Sequence, residues 1–264
     1  MSIAVIGAGA MGEALLAGWL RAGWSADDVC IVDAWAPRVA ELVQRHGVRG
    51  VELAEAASRD TIVLAVKPHQ VDGVLADLRG HLRADALVVS IAAGVSLAQL
   101  AAALPEGQPT VRVMPNTPAL VGKGMAGVVP GPTASDEHRQ RVTELMDAVG
   151  ASVVVGESSL DALTALSGSG PAYLFYVAEA MIEAGVHQGL PRAQAAELVH
   201  QTFVGAAAML AESGRSATEL REQVTSPGGT TAAALRALDD HGVRAGFLAA
   251  VEACARRSED LSRR

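Results

Sequence analysis

The chain has 264 residues, of which half are hydrophobic and only 3% are aromatic, and it carries a net charge of −8. This length allows two domains, the negative charge argues against a nucleic-acid-binding surface, and the charge-interrupted apolar runs argue against a membrane span. The N-terminus has no basic leader, which predicts a cytoplasmic protein. The two cysteines are far apart, which predicts buried thiols and no disulfide. The seven histidines lack metal-ligand spacing, which predicts no metal site.

Strand-like and helix-like segments alternate in the first half of the chain. Short apolar runs predict strands at 3–7, 29–33, 61–66, 86–91, 110–115, 124–130 and 152–156. Helical periodicity predicts a helix at 11–22, a second helix that follows the strand at 29–33 and ends at Arg45, and further helices near 70–80 and at about 135–149. Because buried strands that alternate with helices form parallel sheets, we expect a doubly wound parallel sheet with helices on both faces.

The second half of the chain has a different pattern. Helical periodicity, interrupted by breaking or capping residues, predicts helices at 171–188, 191–213, 216–224, 230–240 and 243–262. No strand is predicted after Gly156. We therefore expect an α/β domain at residues 1–157 followed by an all-α domain at residues 158–264.

The segment GAGAMG follows the first predicted strand and opens the first predicted helix. It fits the motif G-x-G-x-x-G, in which Gly7 permits a tight turn, Gly9 lets a pyrophosphate approach the backbone and Gly12 lets helix and strand pack closely. The alternative is a strand–helix turn that is merely rich in small residues. The context favours a Rossmann domain, whose dinucleotide contacts would include Gly7, Ala8, Gly9, Ala10, Met11 and Gly12.

Two residues near the end of the second predicted strand bear on which dinucleotide binds. Asp33 ends this strand, where an acid usually accepts hydrogen bonds from the adenosine ribose hydroxyls and favours NAD(H). Arg38 favours the opposite choice, because an arginine there can pair with the 2′-phosphate of NADP(H). For Asp33, the alternative is a solvated strand end. At this point the cofactor is either NAD(H) or NADP(H).

Three further loops follow strands of the same predicted sheet. Ligands of open α/β sheets bind at the carboxyl ends of the strands, so these loops converge on one edge. The predicted contacts near the nicotinamide are Ala65, Val66, Lys67 and Pro68 after the third strand, Ala92 and Ala93 after the fourth, and Asn116 after the fifth. Taken singly, each loop is also consistent with an ordinary turn.

Two junctions rich in small residues open helices in the second half. Residues 167–173 read SGSGPAY, which helix capping and close helix packing explain at least as well as ligand contact does. Residues 226–231 read SPGGTT: Pro227 and the glycines end one helix, and Thr230 and Thr231 take the N-cap and first-turn positions of the next. Unpaired N–H groups beside hydroxyls predict an anion site there, and the alternative is a plain helix–helix turn.

These motifs resemble those of a known family. SGSGPAY, MPNTP and the stretch from VTSPGGTT to LDD are similar to pyrroline-5-carboxylate reductases, and the resemblance extends from GAGAMG to the final helix. It implies a helical C-terminal domain that interleaves with that of another subunit, and hence a homodimer or an assembly of dimers. It also implies reduction of L-Δ1-pyrroline-5-carboxylate to L-proline, the last step of proline biosynthesis, usually with NADPH and sometimes with NADH.

The resemblance further implies roles for individual residues. The substrate carboxylate would be held at Ser226, Gly229, Thr230 and Thr231. The catalytic residue would be Thr231, which lies close to the ring nitrogen in this family. Glu157 and Gln223 match positions that line the same pocket.

Two other functions compete with this interpretation. The β-hydroxyacid dehydrogenases have a similar layout, but they rely on a lysine in the helical domain as reduction of a carbonyl needs a proton donor. This chain has only Lys67 and Lys123, both in its first half, which disfavours that function. A regulatory protein would bind the nucleotide without turnover, since a Rossmann fold alone does not fix an activity. The complete SPGGTT junction argues against it.

Overall fold

The structure is a computed structural model that describes residues 2–262 and forms two compact units. The first unit comprises the described residues up to Ser169 together with those from Cys254 onward. The second unit is Gly170–Ala253. The division into domains after residue 157, expected from the sequence, stays a prediction.

One eight-stranded sheet organises the first unit. Its strand order is β3–β2–β1–β4–β5–β6–β7–β8. The order reverses between β1 and β4, so the carboxyl ends of these two strands mark the switch point at which doubly wound sheets bind ligands. The strands are β1 (Ile3–Ile6), β2 (Val29–Val32), β3 (Arg49–Gly50), β4 (Thr61–Leu64), β5 (Leu87–Ser90), β6 (Thr110–Met114), β7 (Gly124–Pro130) and β8 (Gly150–Val154).

Helices and short loops connect these strands, and helices predominate in the described chain after β8. A π-helical turn, Thr164–Gly168, leads into the junction predicted at residues 167–173 and overlaps its first two residues. The helices are α1 (Ala10–Arg21), α2 (Ala36–His46), α3 (Leu53–Ala56), α4 (Val71–Leu78), α5 (Leu97–Ala103), α6 (Asp136–Asp147), α7 (Leu160–Leu163), α8 (Gly170–His187), α9 (Arg192–Glu212), α10 (Ala217–Gln223), α11 (Thr230–Asp240) and α12 (Val243–Ser262).

The central strands are buried on both faces, as expected for a doubly wound sheet. Along β1, Ile3 and Val5 pack into one core, and the alternate residues pack into the core on the opposite face. Trp19 on α1 is fully buried, and its indole N–H donates to the Leu145 carbonyl oxygen on α6 at 2.8 Å. The first helix is thereby fixed against the sheet, which positions the glycine turn before it.

One strand departs from the parallel sheet predicted from the sequence. β7 runs antiparallel to β6, with Arg112 opposite Val129, whereas the other six strand pairings are parallel. Only residues 115–123 join β6 to β7. A parallel return needs a crossover of about a dozen residues or more, so this short connection forces the antiparallel arrangement.

The second unit is helical and buries few large side chains of its own. Among the described residues no strand follows Val154, as predicted. Its buried apolar residues in the described chain are Ala195, Val199 and Leu220. By contrast, Phe175 is 68% exposed and many other large apolar side chains are similarly accessible. Apolar surface of this extent is typical of a face that another chain covers.

The structure bears on two further predictions, the burial of the two cysteines and the absence of a membrane-spanning helix. Both cysteines are free thiols, but only Cys30 is buried, whereas Cys254 is half-buried because it lies on α12 rather than in a core strand. Within residues 2–262, no helix has the combination of length and apolar character that crossing a bilayer requires.

Candidate functional site

A cavity of about 760 Å³ lies in the first unit, at the carboxyl ends of the central strands. Its size falls within the range of small-molecule sites, and its position is the one at which open α/β sheets bind ligands. Among the residues that line it are Gly7, Gly9, Ala10, Met11, Asp33, Ala65, Val66, Lys67, Pro68, Ala92 and Ala93. The structure therefore brings together most of the cofactor contacts predicted from the sequence.

The three motif glycines have different physical roles at this cavity. Gly7 has φ +104°, and a Cβ there would lie 2.6 Å from the Ala65 carbonyl carbon. A Cβ on Gly12 would lie 2.2 Å from the Gly7 carbonyl oxygen, because α1 packs directly on the end of β1. A Cβ on Gly9 would meet nothing within 4 Å, and Gly9 lines the cavity. Gly7 and Gly12 thus build the turn, and Gly9 leaves room for a ligand at the start of α1, which fits a dinucleotide pyrophosphate.

Asp33 fixes the glycine turn from the end of β2. Its Oδ2 accepts a hydrogen bond from the Ala8 N–H at 2.7 Å, and its Oδ1 accepts one from the Trp35 N–H at 2.9 Å. The carboxylate lines the cavity in this fixed orientation. Because each carboxylate oxygen has a second acceptor position, Asp33 can still accept from a ribose hydroxyl.

Arg38, the predicted partner of a 2′-phosphate, has partners within the chain at all three guanidinium nitrogens. Its Nε–H donates to the Ala8 carbonyl oxygen at 2.8 Å, and its Nη1 donates to Glu41 at 2.7 Å. Its Nη2 forms an ion pair with Glu13. Asp33 and Arg38 therefore both bind Ala8 in the glycine turn: Asp33 accepts from its N–H, and Arg38 donates to its carbonyl oxygen.

Glu13 on α1 is the centre of this ion-pair network. In addition to Arg38, its carboxylate contacts Arg45 at 2.5 Å and the His46 ring at 3.2 Å. Burial raises the pKa of Glu13, but hydrogen bonds from Arg38, His46 and Arg45 outweigh this effect and lower the pKa to about 2. Glu13 is therefore ionised at neutral pH.

We expect the substitution Glu13→Gln to lower the free energy of unfolding by about 1–2 kcal/mol at neutral pH. The folded-state pKa of about 2 lies below the usual value of 4.5, so Glu13 stabilises the fold above pH 4.5 and loses this contribution as the pH falls towards 2. Urea unfolding at a series of pH values should therefore show the two proteins converging in stability through this window.

The control for this measurement is Glu137→Gln, which removes an exposed carboxylate that pairs with Arg141 along α6. It should change the free energy of unfolding by less than about 0.5 kcal/mol. A stability difference for Glu13→Gln that does not depend on pH would contradict the assigned ion pairs.

Three predicted cofactor contacts do not line the cavity. Ala8 belongs to the turn itself and Gly12 to the first turn of α1, and both are buried. Asn116 is also buried: its amide group donates to the Ser167 carbonyl oxygen at 2.9 Å, and its side-chain oxygen accepts from the Met125 N–H at 2.8 Å. Asn116 therefore ties the loop after β6 to its neighbours, and its contact with a cofactor stays a prediction.

The cavity also contains residues that were not among the predicted cofactor contacts. Ile91 and Met114 lie at the ends of predicted strands, so the rule that ligands bind at strand ends is a signal that would have found them. Leu53 comes from the four-residue helix α3, which is too short to show a periodicity. The further lining residues of this kind are Ile6, Val32, Ala34, Glu52, Gln70, Val74, Pro115, Thr117 and Leu120.

The SPGGTT junction lies in the second unit, at the start of α11. Gly228 has φ +69°, as the sequence predicts for this turn, and Gly229 is the N-cap with extended backbone. Thr230 is thus the first helical residue and not the N-cap that the sequence predicts, because the extended cap conformation falls on the glycine. A Cβ on Gly229 would lie 2.4 Å from the Ser226 Oγ, so glycine is needed for this hydroxyl to fold back over the turn.

Two of the backbone donors that remain at this junction belong to the threonines. The Gly229 N–H donates to the Ser226 carbonyl oxygen at 3.1 Å, and the Ala233 N–H donates to the Gly229 carbonyl oxygen at 3.2 Å. The N–H groups of Thr230 and Thr231 precede this helix bond and have no acceptor within α11. They stand at the positive end of the helix dipole.

The two other predicted substrate contacts have partners of their own. Gln223 ends α10, and its side-chain oxygen accepts from Arg215 at 2.8 Å. Glu157 belongs to the first unit, where its Oε1 accepts from the Leu97 N–H at 2.8 Å and from the buried Arg112 at 2.9 Å. These bonds give Glu157 a structural role at the start of α5, and its place in a substrate pocket stays a prediction.

Two regions of the chain match known protein families. Residues 157–261 match the family described as pyrroline-5-carboxylate reductase dimerisation. Residues 2–94, which include the glycine turn and the first strands, match the family described as NADP oxidoreductase, coenzyme F420-dependent.

Known proteins are similar to this chain over nearly its whole length. A pyrroline-5-carboxylate reductase of Corynebacterium melassecola is 45% identical over 267 residues, which cover 99% of this chain and 99% of that protein. The structure of a pyrroline-5-carboxylate reductase from Coxiella burnetii is 35% identical with a TM-score of 0.96, and covers 99% of this chain and 98% of that one. The structure of Plasmodium falciparum pyrroline carboxylate reductase with NADP bound is 29% identical with a TM-score of 0.87, at the same coverage of 99% and 98%. The chain therefore belongs to the pyrroline-5-carboxylate reductase family.

Proposed function

We propose that this chain reduces the imine of L-Δ1-pyrroline-5-carboxylate to L-proline, with a nicotinamide dinucleotide as hydride donor. One observation carries the proposal: α11 begins with N–H groups, among them those of Thr230 and Thr231, that lack an acceptor in the helix, beside the hydroxyls of Ser226, Thr230 and Thr231. Full-length similarity to reductases of this name supports it. The cavity at the switch point of the sheet is the proposed site of the dinucleotide.

The junction has the chemistry that a substrate carboxylate requires. The N–H groups of Thr230 and Thr231 donate to an anion, and the dipole of α11 stabilises its negative charge. The Ser226 hydroxyl adds a third donor. Gly229 contributes by its missing side chain, since a Cβ would displace the Ser226 hydroxyl.

The reaction places few demands on acid–base groups of the protein. The bound cofactor supplies a hydride, which adds to the imine carbon. A cyclic imine nitrogen is basic enough to take its proton from solution, so the protein needs to orient the ring and not to supply a strong acid. We assign this orienting role to the Thr231 hydroxyl, which holds the ring nitrogen while the junction holds the carboxylate.

We propose NADH as the preferred cofactor, because the Asp33 carboxylate lines the cavity and repels a 2′-phosphate. The substitution Asp33→Ser is expected to raise the ratio of kcat/KM for NADPH to that for NADH about tenfold. Steady-state rates with each cofactor measure this ratio. If it does not move, Asp33 does not face the ribose.

We also propose that the helical second unit associates with that of another chain, as a homodimer or an assembly of dimers. The exposed apolar residues of α8 and α9, among them Phe175, Tyr176 and Val204, support this proposal. Light scattering coupled to size-exclusion chromatography should give a mass of two chains or a multiple of two. A single-chain mass over a wide concentration range would contradict it.

The identity of the product tests the proposed reaction. Incubation with L-Δ1-pyrroline-5-carboxylate and reduced cofactor should yield L-proline, identified by chiral chromatography and mass spectrometry. Small hydroxy acids offered with oxidised cofactor should not turn over, because oxidation of their hydroxyl group needs a proton acceptor such as a lysine in the helical domain. Turnover of a hydroxy acid without formation of proline would replace this proposal by the dehydrogenase function.

A further inference from the structure

We infer that Glu13 is a specificity-determining positioning residue, which selects NADH by keeping Arg38 away from the adenosine ribose. The inference rests on the proposed nicotinamide cofactor. It concerns residues outside the cavity lining, since neither Glu13 nor Arg38 is among the described residues that line it. The geometry links them to the ribose position through a single residue, Ala8.

Arg38 is close enough to the ribose position to matter. The Ala8 N–H donates to Asp33 at 2.7 Å, and the Ala8 carbonyl accepts from Arg38 at 2.8 Å. The carboxylate that faces the ribose and the guanidinium are therefore on the two sides of one residue. An arginine at such a position is a natural partner for a 2′-phosphate, provided that its remaining N–H groups are free to turn towards it.

The surrounding carboxylates occupy the terminal nitrogens of Arg38, so these nitrogens are not available to a 2′-phosphate. Glu13 and Glu41 hold its two terminal nitrogens, and both pairs lie on the side of α1 and α2. Glu13 is in turn held by Arg45 and His46, so it is not free to release Arg38 by turning to solvent. The Glu13 side chain is 19% exposed and that of Arg38 is 18% exposed, so water screens this pair only partly.

The two acids therefore act on the 2′-position in different ways. Asp33 repels a 2′-phosphate directly and offers an acceptor to the 2′-hydroxyl. Glu13 acts through Arg38, because it supplies the negative charge that a phosphate would otherwise supply. Removal of Asp33 alone relieves the repulsion but leaves no available cation, whereas removal of both Asp33 and Glu13 leaves Arg38 without one of its two carboxylate partners.

A set of binding measurements tests the inference without reference to turnover. Dissociation constants for NADH and NADPH are measured from nicotinamide fluorescence for the unsubstituted chain, Asp33→Ser, and Asp33→Ser with Glu13→Gln. We expect the added Glu13→Gln to tighten NADPH binding about tenfold relative to Asp33→Ser, with NADH binding changed less than about threefold. Retained NADH binding also shows that the variants are folded.

Two controls separate the ion pair from a general change in charge. Glu137→Gln in the Asp33→Ser background removes the same charge from an exposed site on α6 and should leave NADPH binding unchanged. Adding Arg38→Met to the double variant should abolish the gain in NADPH affinity, since it removes the cation that the substitution Glu13→Gln releases.

The inference is overturned if Glu13→Gln does not tighten NADPH binding, if Glu137→Gln tightens it equally, or if the gain survives Arg38→Met. These results are distinguishable from a failure of the proposed nicotinamide cofactor. In that case, the unsubstituted chain would bind neither nucleotide, and the inference would fall with it.

Discussion

Replacement of Thr231 by alanine is expected to lower kcat/KM for the imine about 100-fold or more, while the dissociation constant of the nucleotide stays nearly unchanged. The hydroxyl is the group that we assign to the ring nitrogen, and without it the carboxylate is still held but the ring is free to rotate. The Thr231 N–H precedes the first bond of α11 in either protein, so the junction keeps its backbone donors. Steady-state kinetics and fluorescence titration of the nucleotide measure the two quantities.

Two further variants make this result specific to the hydroxyl. Thr231→Ser keeps an oxygen at the same position and should retain activity within several-fold of the unsubstituted chain. Thr202→Ala removes a hydroxyl that bonds to the Leu198 carbonyl on α9, and should change the kinetics little. Unchanged turnover for Thr231→Ala would remove Thr231 from the mechanism.

Gly7→Ala and Gly9→Ala should fail in different ways, although both occur in the same turn. At Gly7 the new Cβ would lie 2.6 Å from a backbone carbon of Ala65, and φ is +104°. Backbone atoms directly after the central strand β4 cannot give way, so we expect a loss of about 3–5 kcal/mol in the free energy of unfolding. At Gly9 the Cβ meets no atom of the chain, so stability should change by less than about 1 kcal/mol.

Nucleotide binding separates these two glycines further. We expect Gly9→Ala to weaken nucleotide binding at least tenfold, because its Cβ enters the space proposed for the pyrophosphate. Urea unfolding and fluorescence titration of both variants provide the comparison. A Gly9→Ala protein that binds nucleotide normally would place the pyrophosphate elsewhere.

The sequence predicted the longer elements well, because hydrophobic periodicity is a strong signal over ten or more residues. The helices at 230–240 and 243–262 coincide with α11 and α12. The Rossmann fold, the helical second half and the family relationship are all confirmed. These features depend on local patterns and motifs, which a single sequence contains.

Short elements and strand direction were predicted less well. The seven-residue helix α5 was missed, although Ser96 and Gln99 form a capping box at its start that would have been a signal. The predicted direction of β7 was wrong, because strand-like composition does not specify which way a strand runs. The short connection before it, from residue 115 to 123, would have indicated the antiparallel return.

The candidate site was predictable where backbone geometry defines it and not where long-range pairing does. The glycine turn and Asp33 follow from the motif and its spacing. Arg38 was expected to be available to a phosphate, yet Glu13 pairs with it from a helix 25 residues earlier in the chain. Glu157 likewise pairs with Arg112 across 45 residues. Such pairs depend on how elements pack, which periodicity does not determine.

The most direct test of the central claim is the initial rate of NADH and NADPH oxidation, measured in parallel with L-Δ1-pyrroline-5-carboxylate as substrate. The proposed function predicts rapid oxidation that depends on the imine, with the higher kcat/KM for NADH because Asp33 and the Glu13–Arg38 pair both disfavour a 2′-phosphate. Binding of the nucleotide without oxidation of either cofactor would contradict the reductase function.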